Sequence, residues 1–144
     1  MAASTQDAKY FINGFNRGLK ILTRDLAKKY PTDATIGRAQ KRVVAAISAM
    51  PIYVIETAGA FLYKYRTHVY NLDKAAEDFI MGSTFQDDID ESDDAENADL
   101  LTYIIPRAKK HAMSLPPKAR DEYGEIIKNL LDNYIEYKAL TMCE

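Results

Sequence analysis

Apolar residues return along this chain at helical intervals, punctuated by prolines. Phe11, Phe15, Leu19, Leu22 and Leu26 recur at spacings of four, four, three and four. That spacing places them on one face of a helix. Tyr10, Ile12 and Ile21 widen the stripe. Ser4 or Thr5 is expected to cap this helix, with Asp7 near its positive end. Gly14 and Gly18 either weaken it or let a neighbour come close. Pro31 stops it, because the residue before a proline is pushed out of the α region.

Thr32 or Asp33 then caps a second helix whose inner face reads Ile36, Gln40, Val43, Ile47 and Met50, flanked by Ala39, Val44 and Ala46. Pro51 ends it and suits the first turn of a third helix over residues 51–70. That helix is expected to bury Ile52, Ile55, Ala58, Gly59, Leu62, Tyr65 and Val69, with Ala58, Gly59 and Ala60 permitting close contact. A short fourth helix begins at Leu72-Asp73, turns Ala76, Phe79 and Ile80 inward, and stops at Gly82.

The pattern then fails. From Gln86 to Asp99, eight of fourteen residues are Asp or Glu, so little could be buried to offset the entropy of ordering. A flexible acidic loop is expected there. Helical spacing resumes near Leu100 with Leu101, Ile104, Ile105, Ala108 and Ala112, and Pro106 kinks or restarts that helix. A last helix over residues 117–140 faces Tyr123, Ile126, Ile127, Leu130, Leu131, Tyr134 and Leu140 inward. The expectation is an all-α, compact single-domain bundle of five to six helices. It has a basic helical part (1–85), an acidic loop (86–99) and a C-terminal helix pair (100–144) packed back onto the first part.

Charge sharpens this division. The net charge is only −2, but residues 1–70 carry 11 basic and four acidic side chains, and residues 71–100 carry one and 11. Lys20, Arg24, Lys28, Lys29, Arg38, Lys41 and Arg42 are candidate contacts for phosphates or an acidic partner. Asp87, Asp88, Asp90, Glu91, Asp93, Asp94 and Glu96 are candidates for a basic partner. They do not make an EF-hand loop, since Asp93 occupies the glycine position and Asp99 the final glutamate position. Composition adds ten tyrosines and no tryptophan, and tyrosines suit core edges and interfaces. Cys143 is the sole cysteine, which excludes an intrachain disulfide, and His68 and His111 lack a second ligand at helical spacing. No apolar run reaches the ~18 residues of a membrane span, and the opening lacks a signal-peptide core. No metal, cofactor or enzymatic chemistry is expected, and the expected address is intracellular.

The run Phe15-Asn-Arg-Gly-Leu-Lys-Ile-Leu-Thr-Arg-Asp-Leu-Ala-Lys-Lys-Tyr-Pro-Thr-Asp33 resembles the opening helix of small helical proteins encoded by nucleocytoplasmic large DNA viruses. Tyr65-Arg-Thr-His-Val-Tyr70, Asp73, Glu77-Asp-Phe-Ile80, the stretch 105–115, Lys118 and the stretch 123–137 extend the likeness. The chain departs from that pattern at Pro106, in its long acidic run and in lacking a tryptophan in the last two helices. The resemblance implies a viral origin, a place in the host cytoplasm or virion, and a non-enzymatic role. Another protein, or a second copy of this chain, is the first expected partner, and nucleic acid the alternative.

Overall fold

The computed structural model describes residues 3–70, 78–79, 82, 85–90 and 95–142. Seven helices have both ends among the described residues, where Asp78, Phe79 and Gly82 are helical as well and no strand occurs: α1 (Ala3–Lys29), α2 (Ala34–Ala49), α3 (Pro51–Lys64), α4 (Arg66–Tyr70), α5 (Gln86–Asp90), α6 (Ala95–Ser114) and α7 (Pro117–Thr141). The all-helical expectation holds, and the count exceeds five to six because two short helices join the longer ones.

Helix α1 lies antiparallel along α7, its most extensive neighbour, with Gly14 facing Asn133 and Gly18 facing Leu130. The core forms where these two meet α2, α3 and α4. Ile12, Phe15, Ile47, Val54, Ile55, Val69, Leu130, Leu131, Tyr134 and Tyr137 are buried together there. Gly59 lets α3 approach α7, since a Cβ at that position would overlap the Tyr134 ring. The glycines of α1 and α3 thus serve close approach.

Asp33 provides the α2 cap. Its Oδ1 accepts the N–H groups of Thr35 (3.0 Å) and Ile36 (3.1 Å), which satisfies two of the free donors at the helix start. Its Oδ2 accepts the Tyr103 hydroxyl at 2.6 Å, which ties α6 to the α1–α2 turn. Arg107 stacks over the Tyr103 ring at 3.5 Å and donates to the Tyr103 carbonyl at 2.8 Å. Pro106 therefore lies inside α6, and the side chain beside it satisfies a carbonyl of the turn that the proline disturbs.

Several expectations need correction. Ser4 and Thr5 lie within α1 rather than capping it. The third helix breaks at Tyr65, whose ring is held among Phe61, Phe79 and Phe85 at 5.2–5.7 Å. Tertiary aromatic contact there outweighs the local spacing. The acidic stretch is not one loop. Gln86–Asp90 is helical with Ile89 buried, and α6 already begins at Ala95, so Glu96 is helical. Glu91, Asp93 and Asp94 lie outside the described residues, as does most of the predicted fourth helix, although Gly82, its expected stop, is itself helical.

Candidate protein-interaction surface

The least expected feature is the corner between α2 and α3. Thirteen consecutive residues, 43–55, carry no charge, and all but Ser48 are apolar. A single helix face cannot bury that many. Met50 alone joins the two helices. Its N–H donates to the Ala46 carbonyl at 2.7 Å, and its own carbonyl accepts the Val54 N–H at 3.1 Å. With no spare residue at the joint, Ile47 turns into the core from one side and Val54 and Ile55 from the other. The opposite faces stay open: Val44, Ala45, Ser48, Ala49, Met50, Ile52 and Tyr53 are all exposed. Met50, Ile52 and Tyr53 expose 50%, 53% and 60% of their surface, far beyond a partly covered core edge. Met50 and Ile52, both expected to face inward, are thus corrections. The signal that could have found this surface was the uncharged run itself, which is too long for one buried stripe.

Beside the corner, Glu56 accepts the Tyr137 hydroxyl at 2.9 Å. Burial, together with this bond to a carboxylate, pushes the Tyr137 phenol up to about 12. The rigid core therefore extends to the edge of the open surface and fixes its shape.

The seven candidate cations do not form one patch. Lys20, Arg24 and Lys28 share the outer face of α1. Lys29, one residue on, is rotated away, and its charge acts on His111. Arg38 and Lys41 line a cleft of about 460 Å³ at the α1–α2 turn, and Arg42 is half-buried.

The acidic candidates separate as well. Asp88 turns inward onto Lys64 (2.9 Å) and the Tyr65 hydroxyl (2.6 Å). Burial pushes its carboxyl up, but those hydrogen bonds and the Lys64 charge outweigh it and hold the group below the usual 3.8. Asp90 accepts from Gln86 at 2.8 Å, and Asp87 is exposed. Among the described residues no group of three or more His, Cys, Asp and Glu could hold a metal ion.

Phe85 enters α5 with φ of 55°, a left-handed conformation that costs a non-glycine residue roughly 1–2 kcal/mol. That backbone turn delivers its ring to Tyr65, Phe61 and Phe79. His68 stacks flat on Phe79 at 4.0 Å. His111 is buried rather than superficial, and its Nδ1 has no hydrogen-bond partner. Burial and the Lys29 charge push its pKa below 6.5, against the opposing pull of Asp25.

No helix of the described residues is long and apolar enough to cross a membrane. Comparison with family models, with curated proteins and with solved structures returns no match to this chain.

Proposed function

We propose that the protein is a non-enzymatic interaction protein that seats an apolar segment of another protein on the α2–α3 corner. One observation carries the reading: seven of thirteen consecutive uncharged residues face outward around a one-residue joint. Contiguous exposed apolar surface of this kind marks interaction sites on folded domains. Its makeup, with Tyr53 and Met50 beside Ile52 and Val44, matches the aromatic and methionine enrichment of interface cores. The viral resemblance of α1 supplies the setting we favour, an accessory or virion protein acting in the host cytoplasm.

The test compares proteins recovered with the tagged chain and with an Ile52→Ser/Tyr53→Ser variant from the cells in which it occurs. The reading expects one partner recovered by the native chain and lost with the variant. Identical recovery by both would reject it.

A second reading, nucleic-acid binding through α1, has one observation in its favour: Lys20, Arg24 and Lys28 stand exposed in one row. It predicts affinity that falls steeply with salt. The carboxylates of α7 beside that row weigh against it.

A further inference from the structure

The outer faces of α1 and α7 carry opposite charge in matching order. On α1, Lys9, Arg17, Lys20, Arg24 and Lys28 succeed one another at helical spacings on the side away from Phe15 and Leu26, and all five are exposed. On α7, Asp121, Glu122, Glu125, Asp132 and Glu136 are exposed. Because Gly14 faces Asn133 and Gly18 faces Leu130, the two helices run antiparallel in a known register. In that register Arg17 stands level with residues 130–131, Arg24 with residues 123–124 beside Glu122, Lys28 with residues 119–120, and Lys9 with residues 138–139.

Between the stripes lies an open groove of about 440 Å³, bordered by Tyr10, Asn13, Arg17, Asn129, Asp132 and Asn133. Tyr10 stands 72% exposed at its rim, an aromatic ring with no cover on its outer side. The acidic wall is partly fixed already. Asp132 accepts the Tyr70 hydroxyl at 2.6 Å, and Glu125 lies 3.5 Å from Lys128. Among the described residues, no carboxylate pairs with any of the five α1 cations.

We infer that this face is closed by a second copy of the chain, related by a two-fold axis running along the groove. That operation lays each copy's α1 over the other's α7 at the same height. Arg24 then meets Glu122 of the second copy, Arg17 and Lys28 come within one turn of its Asp132 and Asp121, and every pair occurs twice, as a self-complementary interface requires. Tyr10 is covered at each end. A polyanion fits poorly, because the α7 carboxylates border the same groove. A basic row beside a mainly acidic one, which Lys118 and Lys128 interrupt, calls for a partner carrying the same rows in exchanged order, and the chain itself is such a partner. The arrangement leaves the α2–α3 corner free, so it does not depend on the function proposed for that corner.

The test is sedimentation velocity on the full chain at ~50 mM and ~500 mM salt, which spans weak to strong screening of exposed charges. The native chain is expected to dimerise at low salt and to dissociate at high salt. Arg24→Glu and Glu122→Arg, both at exposed positions, should each weaken the dimer by roughly tenfold or more, because like charges then meet twice. The double variant should return to within about threefold of the native value, as a coupled pair demands. Unchanged melting temperatures would show that the variants fold. A native chain that stays monomeric at low salt would overturn the proposal, as would single variants that dimerise normally or a double variant that does not recover. Salt-sensitive binding of a short DNA or RNA duplex, lost in Arg24→Glu without any dimer, would overturn it in favour of a nucleic-acid face.

Discussion

The α1–α7–α3 seam and the α2–α3 corner are both built from apolar and small residues, yet they end in opposite places. At the seam, small residues stand opposite large ones: Gly18 against Leu130, and Gly59 against the Tyr134 ring. At the corner, Ala45 and Ala49 stand exposed beside Val44, Met50, Ile52 and Tyr53, and no described element is laid over them. Hydrophobicity alone therefore does not say which surface becomes core. A surface is buried where the chain supplies a complementary face at the right distance, and α7 supplies that face to α1, to one side of α3, to α4 and to part of α6. The corner has the composition of a core without its cover, which is why it is read as a docking surface.

Substitutions can break this comparison. The largest effect is expected at Leu131, which is wholly buried in the seam. Leu131→Ala should cost about 2–5 kcal/mol in urea unfolding, the range for a large-to-small change in a rigid core. Gly59→Ala comes next. The added methyl strikes a buried ring that has little room to move, so a loss of about 1–3 kcal/mol is expected even though alanine favours the helix. A gain in stability from Gly59→Ala would show that the seam is looser than described.

A smaller effect lies in the alkaline limb of the stability profile. The Tyr137 phenol titrates at about 12 in the folded protein against 10.0 ordinarily, so the unfolded chain releases its proton first as pH rises. The stability this group contributes is complete below pH 10 and is lost between there and 12. Tyr70, raised to about 12 by burial and its bond to Asp132, acts in the same direction. Tyr137→Phe should flatten part of that decline in melts taken from pH 9 to 12. An unchanged slope would mean that Tyr137 is neither buried nor bound to Glu56 in solution.

How much of this was legible in the sequence differs by region. The α1 stripe was readable because its apolar positions keep one phase for four turns, and Phe15 and Leu26 are buried as that phase requires. The cap of α2 was readable as Thr32 or Asp33 because its chemistry is local, and the structure assigns it to Asp33. Gly59 was readable as a place of close approach, though its partner, 75 residues further on, was not. The corner was misread because an all-apolar run fits any phase, so Met50 and Ile52 could be assigned inward without contradiction. The acidic stretch was misread for the opposite reason. Its charges hid Ile89, the single apolar anchor of α5, and the Lys64–Asp88 contact that holds that helix spans 24 residues of chain. Of the candidate cations, Lys20, Arg24 and Lys28 fell together because they share one helix. Arg38, Lys41 and Arg42 could not be placed relative to them without the angle between α1 and α2.

The smallest expected effect is also the most telling. The Ile52→Ser/Tyr53→Ser double variant should melt within a few degrees of the native chain, because exposed positions outside the core usually shift stability by less than about 0.5 kcal/mol each. Thermal unfolding of this variant beside Gly59→Ala measures the contrast between corner and seam directly. A corner variant that holds its melting temperature while Gly59→Ala loses several degrees is the predicted result. A corner variant that falls as far as Gly59→Ala would place Ile52 and Tyr53 in the core and remove the surface on which the proposed function rests.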